Sequence, residues 1–164
     1  PTVFRYIDWL ITVPLLMVEF YLILRAIGTV SAGIFWRLMI GTLVMLGGGY
    51  AGEVGYLAVW PAFIIGMAGW VFILYEIFLG EAGKMSADQA PPSVQSAFST
   101  MRWIVTIGWA IYPLGYFYGY LATSDPAAAA ETLNVIYNLA DVLNKIAFGV
   151  IIWNVAVTES DSSS

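Results

Sequence analysis

The chain has 164 residues, of which 60% are hydrophobic and 10% charged, with a formal net charge of −5. Its mean hydropathy is +0.82, and a soluble domain carries about 25% charged residues, so this composition is that of a membrane protein. There is no cysteine and no histidine, which excludes disulfides, thiolate metal sites and the commonest proton shuttle; no basic patch suggests nucleic acid.

Five segments are apolar enough, at about 20 residues each, to predict spanning helices. The first covers residues 2–27 and contains Pro14, which lacks an amide donor and predicts a kink. A short turn over 28–33 leads to the second helix, 35–51. Its glycines Gly41, Gly47, Gly48 and Gly49 suit close helix contact in a membrane. The third covers 57–79. Residues 80–92 are polar and hold the only Pro-Pro pair, which predicts a loop. The fourth covers 93–121 with Pro113 inside it, and residues 122–126 form a turn. The fifth covers 130–158, and Ser160–Ser164 reads as a frayed tail. The fold class is thus all-α, membrane-embedded, a single domain over residues 1–164. The chain begins at Pro1 with no Met and no signal peptide, and reads as part of a longer protein.

Basic residues set the orientation. Arg25, Arg37 and Lys84 lie in or beside the first and third connections. The second and fourth hold Glu53, Asp125 and Glu131 but no Lys or Arg. The first and third connections are therefore expected in the cytoplasm, together with the C-terminus. Arg102, near the cytoplasmic start of the fourth helix, is expected to snorkel and has no assigned role.

The fifth segment carries the informative charges. Asp141 and Lys145 are four apart, one helical turn, and share a face. A charge at bilayer depth costs at least ~2.5–3.5 kcal/mol and usually marks a functional site. Lys145 is too deep in its segment for easy snorkelling and is the only lysine within a span. A desolvated amine can condense with an aldehyde to a Schiff base. The first helix adds Arg5, Asp8, Thr12 and Glu19. Asp8 and Glu19 are eleven apart, about three turns or ~16 Å along the axis, and return to within ~20° of one face. That polar stripe suggests a proton or ion path. Asp8 and Asp141 are candidate counter-ions for Lys145. Trp9, Trp70, Trp109, Tyr112 and Tyr137 lie within spans and can line a flat conjugated ligand, or simply pack. Phe63, Phe72, Phe78 and Tyr118 are assigned to core or lipid-facing positions.

Three stretches, RYIDWLITVPL (5–15), GWAIYP (108–113) and DVLNK (141–145), resemble the microbial rhodopsins, and most closely the proton-pumping proteorhodopsin branch; the tail IIWNVAV (151–157) agrees. The resemblance covers essentially the whole chain. It implies a light-driven outward proton pump, not an enzyme, in the bacterial inner membrane, with all-trans retinal bound to Lys145 as a Schiff base. Asp8 then corresponds to the proton acceptor, Asp141 to a second counter-ion and Glu19 to the cytoplasmic donor. Thr12 completes an Asp-Thr-Glu triplet typical of the proton pumps, beside Arg5. Trp9, Trp70, Trp109, Tyr112 and Tyr137 match retinal-pocket positions, and Leu16 a colour-tuning position where leucine goes with green absorption. Membrane lipid, retinal and the transported proton are the implied partners, a homo-oligomer is compatible, and no metal or nucleic acid is implied. The chain departs from the seven-helix family in starting at the equivalent of the third helix and in lacking the histidine placed beside the acceptor. A sensory photoreceptor of the same family, and a non-photochemical transporter using Lys145, Asp8 and Asp141 as a charge relay, are the competing readings.

Overall fold

The computed structural model describes residues 2–162, and among them it contains helices and turns but no strand. Helix α1 covers Thr2–Arg25, α2 Ala32–Glu53, α3 Val59–Phe78, α4 Glu81–Gln89, α5 Pro92–Trp103, α6 Ile111–Tyr116 and α7 Pro126–Ser162. Two π-helical segments interrupt the α5–α6 region: π1 covers Ile104–Gly108 and π2 Phe117–Ala122. Four stretches are long and apolar enough to cross a membrane: Thr2–Arg25, Ala32–Glu53, Val59–Gln89 and Ala127–Asp161. The chain is therefore an integral membrane protein by architecture as well as composition.

The helix ends follow local chemistry. Ser31 caps α2 by accepting the Gly33 amide on its side-chain oxygen at 3.0 Å, which satisfies a donor that the first turn leaves free. Beyond α2, Gly55 turns the chain at φ +83°, a conformation open to glycine. Helices α2 and α3 pack tightly because small residues face each other. A side chain on Gly69 would collide with the backbone of Gly41 and Met45, and one on Gly48 with Gly66. Of the glycines expected to serve close contact, Gly41 and Gly48 do so and Gly49 faces the Tyr6 ring, whereas Gly47 meets nothing.

The loop expected over residues 80–92 is instead mostly helix α4. Its polar composition hid an apolar underside: Ala82, Met85 and Ser86 are buried. Its first turn is anchored when the Ala82 amide donates to the Glu76 carboxylate. Pro92 then opens α5 at a position where a missing amide costs nothing. The fourth expected helix is also corrected. It starts one residue earlier and is broken by π1 and a turn before Pro113. Helix α7 is longer than the expected 130–158. Ser160 and Asp161 continue it where a frayed tail was expected, while Pro1, Ser163 and Ser164 lie outside the described residues. Helix α1 passes through Pro14 without a break in assignment and ends before Ile27.

The core runs along the inner faces of α1, α2, α3, α5 and α7. Phe20 of α1 meets Phe98 of α5 and Phe148 of α7 edge-on, with ring centroids 5.3 and 5.2 Å away. All three rings are at most 1% exposed. This aromatic knot holds one half of the bundle closed. In the other half α1 and α7 border a cavity together with α2, α3 and α6.

Candidate functional site

The cavity is lined by Trp9, Val13 and Leu16 from α1, Met45, Gly49 and Glu53 from α2, and Phe63, Met67 and Trp70 from α3. Trp109, Tyr112 and Tyr116 close it from the broken α5–α6 rod, and Tyr137, Asp141, Asn144 and Lys145 from α7. All five pocket aromatics named from the sequence line it, and Leu16 does too. Phe63, expected only to pack, belongs to the same wall and stacks on Tyr116 with centroids 5.9 Å apart. Phe72 and Tyr118 are exposed, and Phe78 lies under the Arg102 guanidinium.

Lys145 Nζ donates to Asp8 Oδ2 at 2.7 Å and stands 4.0 Å from Asp141 Oδ1. The helix thus brings together an amine and two carboxylates from opposite ends of the chain. The two carboxylates differ in surroundings. Asp141 accepts from Trp9 Nε1 at 3.1 and 3.0 Å on its two oxygens, and from the Tyr112 hydroxyl at 2.6 Å. Among the described residues the Asp8 side chain has only the lysine as a partner, and it is 48% exposed against 14% for Asp141. Around the Asp8–Lys145 pair the surface is apolar, with Phe4, Ile7 and Ile11 of α1 and Val142 and Ile146 of α7 all exposed. Tyr137 is fixed by donating its hydroxyl to the Tyr112 carbonyl at 3.0 Å.

The rest of the polar stripe separates into distinct jobs. Thr12 spends its hydroxyl on the Asp8 carbonyl at 2.9 Å, one turn back in its own helix. Arg5 turns away from Asp8. It pairs with Glu53 at 3.5 Å, bonds Asn134, and lies over the rings of Trp9 and Tyr137 at 5.7 and 5.0 Å. Glu19 carries an oxygen that is buried without a hydrogen-bond partner. A buried carboxyl oxygen with no hydrogen-bond partner is costly, and such groups call for an explanation.

Four polar residues were overlooked in the sequence. The sequence puts Glu53 in a connection, but it ends α2 and its side chain is 2% exposed. It accepts from Tyr6 and Tyr120, both at 3.0 Å. Asn134 joins this group through Arg5. Asn144 donates to the Gly108 carbonyl at 3.0 Å. Glu76, 2% exposed, is held by Arg37 Nε at 2.7 Å and by the Ala82 amide at 3.1 Å. It carried the same signal as Glu19, a carboxylate inside an apolar run, and was readable on that ground. Arg102 is half-buried: its Nε has no hydrogen-bond partner and the guanidinium stacks 4.7 Å from Phe78. Among the described residues no group of three His, Cys, Asp or Glu side chains could hold a metal.

Comparison with known proteins agrees with this geometry. The sequence pattern of bacteriorhodopsin-like proteins matches residues 1–159. The green-light absorbing proteorhodopsin of gamma-proteobacterium EBAC31A08 is 58% identical over 163 residues, which is 99% of this chain and 64% of that protein. Bacteriorhodopsin of Halobacterium salinarum is 32% identical over 152 residues, covering 90% of this chain and 54% of that one. The chain therefore spans about two thirds or less of the length of these relatives. Among solved structures, the Exiguobacterium sibiricum rhodopsin superposes with a TM-score of 0.88 at 36% identity, covering 98% of this chain and 73% of its own. The blue light-absorbing proteorhodopsin from Med12 gives 0.79 at 50% identity, covering 97% and 68%. An amine at the wall of an aromatic cavity, paired with two carboxylates, on a matching helical frame and sequence, has one family assignment: the chain belongs to the bacteriorhodopsin-like family, the microbial rhodopsins.

Proposed function

We propose that this chain is the chromophore-bearing part of a light-driven outward proton pump, with retinal, in its all-trans form, bound to Lys145. The observation that carries the reading is the placement of Lys145 Nζ, 2.7 Å from Asp8 and 4.0 Å from Asp141, at the wall of the cavity. The residues fit such a group. The amine is the only lysine of the cavity wall, the wall is mostly aromatic and aliphatic, and Asp141 and Asn144 line it beside the lysine. Retinal, when bound there as a Schiff base, supplies visible absorption and the light-driven isomerisation.

The protein's own groups supply direction. Asp8 Oδ2 is the group in hydrogen-bond contact with Nζ and is the acceptor for its proton. Asp141 is already satisfied by three donor contacts from Trp9 and Tyr112, so it serves as a fixed negative charge rather than a carrier. Glu19 lies about three turns along α1, ~16 Å from Asp8 in axial rise, and its half-buried carboxyl, one oxygen of which has no hydrogen-bond partner, is the group to return a proton from the far side. Acceptor and donor on opposite sides of one amine give net transport.

The same reading makes the interrupted α5–α6 rod a fifth membrane crossing, beside the four apolar helices, and puts the C-terminus in the cytoplasm of a bacterial inner membrane. It describes a transporter and not an enzyme, with membrane lipid, retinal and protons as partners; a homo-oligomer is compatible with the exposed apolar faces of α1 and α7. The test is an absorption spectrum of the full-length protein with all-trans retinal, followed by illumination of an unbuffered cell suspension. A visible band and acidification of the medium, abolished by a protonophore, are expected. A band without acidification would favour a sensory receptor, and no band would favour a non-photochemical relay.

A further inference from the structure

The break between α5 and α6 is a chain of displaced hydrogen bonds, and two side chains from neighbouring helices complete it. Pro113 has no amide, so the Trp109 carbonyl lacks its ordinary partner four residues on. It takes the Tyr112 amide instead, at 3.1 Å. That leaves the Gly108 carbonyl without Tyr112, and Asn144 Nδ2 fills the vacancy at 3.0 Å. One turn earlier, the Trp109 amide bonds the Ile104 carbonyl at 3.1 Å in π register. This releases the Val105 carbonyl, which accepts from Trp70 Nε1 at 2.9 Å. Both orphan carbonyls are thereby satisfied by residues of the cavity wall, one from α3 and one from α7.

Asn144 immediately precedes Lys145, and Gly108 immediately precedes Trp109. The approach is close: a side chain at Gly108 would collide with the Asn144 amide group. Resting on the retinal reading above, we infer that Asn144 is a positioning residue, whose bond to the Gly108 carbonyl fixes the Trp109 ring relative to Lys145 and so sets the shape and colour of the chromophore site. The bond links the residue beside the amine directly to the backbone beside the Trp109 ring, in addition to the Tyr137–Tyr112 bond earlier in α7. An unsatisfied buried carbonyl costs free energy comparable to a lost hydrogen bond, so the segment repacks when the donor is removed.

The test uses the full-length protein in lipid, with Asn144→Leu, close in size but without a donor, and Asn144→Ser, which keeps a shorter donor. Within these 164 residues, labelling with carbonyl-13C glycine and 15N tryptophan selects two peptide bonds, Gly69–Trp70 and Gly108–Trp109. Without retinal, Asn144→Leu is expected to move the Gly108 carbonyl resonance upfield and leave that of Gly69 in place. With retinal, the absorption maximum is expected to shift and bleaching by hydroxylamine in the dark to quicken several-fold. Asn144→Ser should lie between Asn144→Leu and the parent in both. An unmoved Gly108 resonance, or an unchanged absorption maximum and bleaching rate in both variants, overturns the proposal. If Asn144→Leu does not fold, Asn144→Ser alone decides on the same two readouts. Failure of the unsubstituted protein to form any pigment would instead bring down the retinal reading, and the positioning role with it.

Discussion

The Tyr112 hydroxyl donates to Asp141 Oδ1 at 2.6 Å, and this bond decides which carboxylate Lys145 uses. Asp141 is one turn from Lys145 and shares its face, so sequence spacing alone favours that pair. In the structure Asp141 is engaged by Tyr112 and Trp9, and the amine turns across the helix gap to Asp8 at 2.7 Å. Tyr112→Phe is therefore expected to release Asp141 toward Lys145. Loss of a hydrogen bond to a charged group costs about 1.5–3 kcal/mol. The expected result is a lower thermal midpoint together with a displaced absorption band. An unchanged spectrum would show that Asp141 is held by Trp9 alone.

Lys145→Ala is expected to abolish pigment formation. No other amine lines the cavity, and the imine needs one. Reconstitution with retinal, followed by a visible spectrum, checks it. A red-shifted band in the variant would show that the linkage lies elsewhere.

Replacing Asp8 by asparagine removes the charge in contact with Nζ while keeping the side chain's shape. The band should move to longer wavelength and pumping should stop. Acid should do the same to the parent, because protonation of the carboxylate removes the same charge. The colour change should appear as pH falls and reverse as it rises. A titration with no colour change would remove Asp8 from the counter-ion role.

For Glu19→Gln, colour and the first proton transfer should be unaffected, while return of the proton slows by ~10²–10⁴-fold, the range for loss of a positioned general acid. Added azide, a small diffusible acid, should restore the rate. Flash photolysis reads both. Unslowed return would make Glu19 a structural carboxyl and strengthen the sensory reading.

Away from the cavity, Glu76 joins three elements. It accepts from Arg37 of α2 and from the first turn of α4, while Arg37 also binds Glu81 at 2.7 Å. Glu76→Ala leaves the Ala82 amide buried and unpaired, at a cost of about 1–3 kcal/mol. The expected outcome is a lower thermal midpoint with an unshifted band, and faster proteolysis between residues 80 and 91. Protection equal to that of the parent would show that α4 is held by its apolar underside alone.

Much of the site was legible in the sequence because charge inside an apolar span is rare and costly. Lys145, Asp141, Asp8 and Glu19 stand out on that ground, and the four long apolar helices follow from hydropathy and length. The pocket rings followed from their place within spans, and the rhodopsin resemblance rested on short local motifs. Helix α4 was missed because a nine-residue amphipathic turn under a bundle has the composition of a loop; only its contact with Glu76 and the core makes it a helix. The interruption at π1 was missed because the period of the pattern does not reveal which carbonyl will lose its amide. Asn144 and Trp70 decide that from other helices. Above all, spacing along a helix shows which groups share a face but not which partner each one takes. Arg5 goes to Glu53, Thr12 to its own backbone, Asp141 to Trp9 and Tyr112, and Lys145 to Asp8. Apart from that of Thr12, those choices depend on where different helices bring distant residues together, as with Lys145 and Asp8, so they exist only once the helices have packed.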